Sequence, residues 1–140
     1  MIFLPNSCEI NFLHDVALEE LQGGYFHLFD ADIVPGQADT LATYEAIEAD
    51  FGGYAPIGPV TWDLAGIFIN SDAQAEIDSE LVVWTSTGDG LPVTIFGLFY
   101  VASDGELAFV DTFGALSQSL EIPGDVVEYL PRFVLQPIPG

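Results

Sequence analysis

The stretch LATYEAIEADFGGYAPIGPVTW, from Leu41 to Trp62, contains the most distinctive sequence in the chain. An acidic run with apolar residues at helical spacing leads directly into Gly52 and Gly53, which are typical of a helix end. A Tyr-Ala-Pro sequence follows, and then a segment typical of a strand that reaches the tryptophan. The pattern predicts a short helix, a tight corner and a strand. We interpret this stretch as a packed corner of the fold, without catalytic residues.

The first element of the chain is predicted to be a helix. Asn6 and Glu9 are three residues apart, which is typical of a capping box at a helix beginning. Gly23 and Gly24 indicate where the helix ends. Between these signals, apolar residues recur at the spacing of one helix face, at Ile10, Leu13, Val16, Ala17 and Leu21.

The remaining segments predict a mainly β fold. Between them lie turns rich in Gly, Asp and Pro. The sequence SDGE (residues 103–106) predicts a hairpin with a type I′ turn, and Pro131 predicts an edge strand or a bulge. We therefore expect a single domain, residues 1–140, that forms a β-sandwich of about seven or eight strands with one or two short helices. The predicted strand segments are YFHLFD, PVTWDLAGIFIN, EIDSELVVWTST, VTIFGLFYVA, LAFVDTF, QSLEIP and DVVEYLPRFVLQPIP.

The composition combines a high apolar content with a strongly negative charge. Half of the 140 residues are hydrophobic, 22 are Asp or Glu, and Arg132 is the only Lys or Arg, which gives a formal charge of −21. Such a chain is expected to have apolar patches that neighbouring proteins cover, with the charge on its remaining faces. Direct binding to nucleic acid or to an anionic membrane is not expected, because both need Lys and Arg.

No targeting or membrane segment is expected. The sequence MIFLPNSCEI lacks the positive and long apolar regions of a signal peptide. No apolar run approaches the roughly 20 residues that a membrane-spanning helix needs. We expect synthesis in a host cytoplasm.

The residues capable of nucleophilic or metal chemistry are few. Cys8, His14 and Asp15 lie near one another in sequence, but no nucleophile-elbow motif accompanies them. The favoured interpretation is that they are partly buried structural residues. One Cys and two His do not form a recognisable zinc pattern. We expect no enzymatic activity, no catalytic residue, no cofactor and no metal site.

The loop DADIVPGQAD raises one question about a cation. It places Asp30, Asp32 and Asp39 close in sequence, and Ca²⁺ prefers oxygen ligands. The spacing is not that of an EF-hand, so a solvated acidic loop with turn-capping Asp side chains is favoured. Whether Ca²⁺ binds the Asp30–Asp39 loop stays open at this point.

The aromatic residues on the predicted strands are expected to belong mostly to the core. A carbohydrate-binding module is the alternative, and it requires several of them to be exposed side by side. The residues concerned are Trp62, Trp84, Phe96, Phe99, Tyr100 and Phe109.

The chain resembles a family of small structural proteins of tailed bacteriophages. The resemblance is carried by LPNSCE (residues 4–9), by ADTLATYEAIEADFGGYA (38–55) with Trp62 shortly after it, and by FGLFYVASDGELAFVDTF (96–113). The resemblance implies a virion component that is located on the capsid or on the tail.

The leading functional hypothesis is a capsid decoration or cement protein on the outer capsid surface. It would bind the major capsid protein or other virion proteins, and a trimer is expected because capsids offer threefold positions. The alternatives are a tail, baseplate or fibre component, a carbohydrate-binding module and, least favoured of the binding proteins, an acidic mimic of DNA. The ends MIFLP and QPIPG are expected to contact neighbouring subunits through strand edges.

Self-association is expected to increase as the pH falls from 8 towards 4. Repulsion among the 22 carboxylates weakens as they become protonated, so copies of the chain approach more easily. Static light scattering of the purified protein across this pH range measures the effect. Scattering that stays constant down to pH 4 would contradict the prediction.

Overall fold

The computed structural model describes residues 5–135. Most of the ends expected to contact neighbouring subunits, residues 1–4 and 136–140, therefore lie outside the described residues. The predicted mainly β class is confirmed. The helices are α1 (Asn6–Val16), which a π-helical turn (Ala17–Leu21) continues, and α2 (Leu41–Glu45). The strands are β1 (Tyr25–Phe29), β2 (Phe68–Ile69), β3 (Ala75–Asp78), β4 (Val82–Thr85), β5 (Val93–Ile95), β6 (Gly97–Val101), β7 (Leu107–Thr112), β8 (Gln118–Leu120), β9 (Val126–Tyr129) and β10 (Arg132–Val134).

Four small antiparallel sheets share one hydrophobic core. Their strand orders are β1-β6-β7, β10-β3-β2, β4-β9 and β5-β8. The main core takes side chains from all four sheets, and α1 adds Leu13, Ala17 and Leu21, as its apolar spacing predicted. Neither of the two described α-helices has the length and apolar character needed to cross a membrane.

The described residues form ten strands where seven or eight were predicted, because continuous strand segments change sheets. In EIDSELVVWTST, Asp78 pairs with Arg132, whereas Val82 pairs with Tyr129 in another sheet. The segment that pairs with it, residues 126–134, also changes sheets, at Pro131, whose carbonyl accepts the Ser79 N–H at 3.1 Å. The segment VTIFGLFYVA divides in the same way into β5 and β6. Corners of this kind let short strands enclose a core.

The start of the first helix and the end of the second differ from the predicted positions. The Asn6 capping box was wrong: extended Pro5 precedes the helix, and its carbonyl accepts the N–H groups of Cys8 and Glu9. The second helix ends at Glu45, well before Gly52. It ends there because the following residues pair with β1, where Ala49 N–H donates to the Leu28 carbonyl at 2.9 Å.

The predicted hairpin at SDGE is confirmed, but the predicted type I′ turn is wrong. A type I′ turn needs a positive φ at two central residues, and here Gly105 has it (φ +88°) while Asp104 does not. The Gly105 N–H donates to the Ala102 carbonyl, and the Ala102 N–H donates to the Glu106 carbonyl. This is the longer hairpin connection, in which one glycine after a tight turn forms a bulge.

The Tyr100 hydroxyl joins the corner stretch (Leu41–Trp62) to the core. It accepts hydrogen bonds from Gly24 N–H and from Trp62 Nε1–H, each at 3.1 Å, and donates to the Leu21 carbonyl. A Cβ atom at Gly24 would lie 2.5 Å from the Tyr100 ring, so the close approach requires glycine. Burial raises the pKa of Tyr100, which keeps the hydroxyl proton in place.

Tyr100→Phe is expected to lower the free energy of unfolding by about 1 to 3 kcal/mol, because it removes the partner of the buried Trp62 indole N–H and leaves the Gly24 N–H and the Leu21 carbonyl with only their mutual 3.3 Å hydrogen bond. Urea denaturation measures the change. Tyr25→Phe is the matched control, since Tyr25 is 39% exposed and its hydroxyl makes no hydrogen bond within residues 5–135. Equal stabilities of the two variants would contradict the role assigned to the Tyr100 hydroxyl.

Candidate interaction surface

An open groove of about 1100 Å³ lies between the corner stretch and β4. Residues 57–64 form one wall, and residues 78–83 form the other. The stretch that was interpreted as a packed corner is therefore also the side of a surface groove.

The groove begins where the corner stretch and β4 separate. Just beyond the end of β4 the two segments are in contact: the Thr87 N–H donates to the Gly52 carbonyl at 2.9 Å. A Cβ atom at Gly53 would lie 2.5 Å from the Thr85 carbonyl oxygen, so only glycine allows this contact. Farther along, Ile57 turns away and exchanges both backbone hydrogen bonds with Phe26 of β1. A space therefore opens beside the first half of β4.

The edge of β4 that faces this space carries unpaired backbone groups. Ser86 N–H donates to the Asp125 carbonyl, and the same register continues into the β4–β9 pairing. Hydrogen-bonded pairs alternate along an antiparallel ladder, so Trp84 and Val82 bond to β9. The N–H and C=O of Val83 then point away from β9 and towards the groove, where no residue of 5–135 bonds to them.

The opposite wall repeats this arrangement at Thr61. The backbone groups of Val60 bond to Gly23 and Gly24, while those of Trp62 bond to the Gln22 side chain at 2.6 and 3.1 Å. Successive residues of an extended chain direct these groups to opposite sides, so Thr61, which lines the groove, directs its own away from residues 22–24. Within the described chain these groups too have no partner.

Apolar side chains continue from the groove onto the outer face of the β4–β9 sheet. Leu81 and Val83 are 52% and 41% exposed, and both line the groove. Across the sheet they lie beside exposed Leu130 and Val126, with Thr85 and Glu128 completing the face. We call these six residues the outer β4–β9 face. It presents four apolar side chains to solvent on a strongly anionic protein.

The groove is lined by three acidic residues and by no Lys or Arg among the residues described. Asp63 and Glu80 are exposed, and Asp78 is half-buried. Burial, together with the adjacent carboxylate of Glu76, raises the pKa of Asp78 to about 6. The groove therefore carries two exposed carboxyl groups and a third, half-buried one whose pKa is raised.

The only Lys or Arg side chain of the protein is already paired. Arg132 donates to buried Glu76 through Nη2 at 3.1 Å and through Nε at 3.3 Å, and Asn70 Nδ2 adds a third hydrogen bond at 3.1 Å. Hydrogen bonding to Arg132 is the main reason why the pKa of Glu76 falls to about 2. The cation thus compensates a buried carboxylate in β3.

The residues that the sequence singled out for nucleophilic chemistry lie on α1. His14 Nδ1 and Asp15 Oδ1 are 3.7 Å apart, with both side chains largely exposed, and Cys8 is half-buried six residues earlier. The structure shows no hydrogen bond from Cys8 to His14 in the region it describes.

The aspartates of the Asp30–Asp39 loop are not gathered around one point. Asp39 accepts hydrogen bonds from the Gly36 N–H at 2.8 Å and from the Tyr44 hydroxyl at 2.7 Å, as a turn-capping residue does. Asp30 lies near Asp50, and burial is the larger cause of its raised pKa. Across residues 5–135, no group of three or more Asp, Glu, His or Cys is arranged to hold a metal ion.

Four of the six aromatic residues that were considered for carbohydrate stacking are buried. Trp62 and Trp84 are 2% exposed, Phe99 and Tyr100 are fully buried, and Phe96 and Phe109 are half-buried. These six side chains therefore do not form an exposed row.

A polar cluster that the sequence did not indicate lies beside β1. Glu48 Oε2 is 2.7 Å from His27 Nδ1 and accepts a hydrogen bond from the Tyr54 hydroxyl at 2.5 Å. The Tyr54 hydroxyl in turn accepts the Leu28 N–H at 3.1 Å, and the His27 ring stacks on Phe99. Burial and Glu48 raise the pKa of Tyr54. The three residues come from separate segments, so their spacing in sequence gives no signal. They fasten the corner stretch to β1.

Comparisons with known proteins found no match: no protein-family model, no curated protein and no solved structure is significantly similar to this chain.

Asp78→Asn is expected to reduce the loss of stability that accompanies a rise in pH. The raised pKa means that the folded protein keeps a proton on Asp78 that the unfolded chain releases from about pH 4 upwards. Its contribution to the free energy of unfolding is therefore fully present below pH 4 and decreases as the pH rises through 6. Asparagine keeps the shape of the side chain without titrating.

Urea denaturation at pH 5, 6 and 7 tests this expectation: the stability of Asp78→Asn relative to the original protein should increase at each step. Asp32→Asn is the control, because Asp32 is exposed and makes no side-chain hydrogen bond within the described chain. A constant difference across the three pH values would show that Asp78 has an ordinary pKa.

Proposed function

We propose that the protein is a non-enzymatic structural component of a tailed-bacteriophage virion. The specific proposal is a decoration or cement protein that binds the assembled capsid at its outer surface. The observation that carries this proposal is the outer β4–β9 face with its adjoining groove. It is an apolar surface with free backbone groups on a protein with a formal charge of −21. Such a surface suits contact with another protein.

The charge of the chain supports binding to a preformed particle. Copies with a formal charge of −21 repel one another in solution, so association through charged faces is unfavourable. A protein that binds only the assembled state stabilises that state by mass action. Repulsion between free copies and attraction to a basic or apolar site on the particle together favour attachment after assembly. A trimer at a capsid threefold position is the symmetry proposed.

The family resemblance supports the proposal from the sequence side. Trp62 lines the groove, and the block EADFGGYA (48–55) ends two residues before the wall that begins at Ile57 and contacts the chain beyond β4 through Gly52, so residues that carry the resemblance adjoin the surface in question. A tail, baseplate or fibre component is the second candidate, because the same surface would serve at either place. The two candidates differ in copy number and location.

Copy number per particle distinguishes the candidates. Quantitative mass spectrometry of purified virions, with labelled peptides of this chain and of the major capsid protein, is expected to give hundreds of copies per particle. The ratio to the capsid protein should be one or a simple fraction, because decoration follows capsid symmetry.

A count of a few to a few dozen copies would instead support the tail or baseplate. Absence of the chain from gradient-purified particles would overturn both candidates. Particles stripped of tails serve as the control, since a decoration protein stays with the heads.

A further inference from the structure

We propose that the groove between residues 57–64 and β4 binds an extended segment of a different protein, which joins the edge of β4 as an added strand and carries Lys or Arg side chains. The inference deepens the proposed function, on which it rests for the identity of the partner as another virion protein. The surface itself is argued from the described residues alone.

The backbone of β4 supplies the first part of the argument. The N–H and C=O of Val83 face the groove without a partner in residues 5–135, although the neighbouring pairs bond to β9. An exposed strand edge of this kind is a template for a further strand. At its far end the edge is closed, because Gly52 and Gly53 already cover Thr85 and Thr87. An added strand therefore pairs at the Val83 end.

The opposite wall supplies the second part. Thr61 lines the same groove and directs its own backbone groups away from residues 22–24, on which Val60 and Trp62 use theirs. A strand that lies in the groove has two backbone edges, and each meets a wall with unpaired groups. The surroundings thus suit main-chain recognition better than they suit a compact ligand.

The side chains of the groove specify the composition of the segment. Leu81 and Val83 present apolar groups, while Asp63, Asp78 and Glu80 present carboxyl groups. Side chains of a strand alternate between its faces, so a segment that alternates apolar and basic residues satisfies both.

The charges also indicate that the occupant is not a second copy of this chain. The protein has no lysine, and its only arginine is hydrogen-bonded to Glu76. A second copy would therefore bring further carboxylates to Asp63 and Glu80 without a free Lys or Arg to compensate them. A partner with basic residues compensates them directly.

The experiment uses the purified full chain and a synthetic peptide of alternating Lys and Val, about eight residues long, as strands commonly are. Fluorescence anisotropy measures its binding, and amide hydrogen exchange by NMR reports on Val83 and Thr61. We expect saturable binding that weakens with salt. We also expect both amides to exchange rapidly in the free protein and slowly in the complex.

Two peptide controls leave the protein unchanged. A Glu-Val peptide of equal length tests the charge, and a Lys-Val peptide N-methylated on alternate residues tests the backbone pairing. Both are expected to bind at least about tenfold more weakly.

A matched pair of triple variants places the site. Asp63→Asn with Asp78→Asn and Glu80→Gln removes the groove carboxylates and should weaken binding about tenfold. Glu19→Gln with Glu20→Gln and Glu45→Gln removes three exposed carboxylates that do not line the groove, and should leave binding nearly unchanged. Circular dichroism confirms that each variant is folded.

Several outcomes would overturn the inference. They are equal binding by the two triple variants, equal binding of the N-methylated peptide, and slow exchange at Val83 in the free protein. Slow exchange that depends on protein concentration would identify a second copy as the occupant, and slow exchange at every concentration would identify the chain's own remaining segments. None of these results changes the copy number in virions, so the proposed function is judged separately.

Discussion

The rest of the structure depends on the hydrogen bonds of the Tyr100 hydroxyl. Tyr100 belongs to the main core. Phe26 packs edge-on against its ring, with the ring centroids 4.8 Å apart, and Phe109 stacks on it, with the centroids 5.0 Å apart. Its three hydrogen bonds reach the end of the first helix, the glycine that leads into β1 and the indole of Trp62. A buried hydroxyl with every partner in place fixes the relative positions of these segments. Without it the Trp62 indole N–H would be unpaired, and the Gly24 N–H and the Leu21 carbonyl would keep only their mutual 3.3 Å hydrogen bond.

The second constraint is the scarcity of positive charge. A protein with one arginine can compensate one buried carboxylate well, and Arg132 is used on Glu76 across the β10–β3 pair. Asp78 lies directly opposite Arg132 in that register but makes no ion pair with it. Burial and the nearby Glu76 raise the pKa of Asp78 to about 6, so it holds its proton more tightly. The other carboxylates remain mostly at the surface. The same shortage that shapes β3 leaves the neighbouring groove anionic, which favours a basic partner.

The sequence predicted those parts of the fold that depend on local pattern. The helical face at Leu13, Ala17 and Leu21, strand β1 and the SDGE hairpin follow from residue spacing and turn chemistry. The boundaries that failed depend on tertiary pairing. The second helix ends early because Ala49 bonds to β1, and two apolar segments divide because their partners lie in different sheets. The groove was equally beyond prediction, since the phase of the β4–β9 ladder decides which way Val83 faces.

The corner stretch connects these constraints to function. Gly53 approaches the Thr85 carbonyl so closely that the chain can touch β4 there, while the Phe26–Ile57 pairing draws the next residues away from it. Contact at one end and separation at the other produce a groove whose two walls keep backbone groups free. The distinctive sequence therefore has a structural explanation: its glycines allow the contact at the end of β4, and the residues that follow form a groove wall opposite a strand edge that the fold leaves unpaired. A preformed edge lowers the ordering cost of binding, which favours the attachment to an assembled surface that we propose.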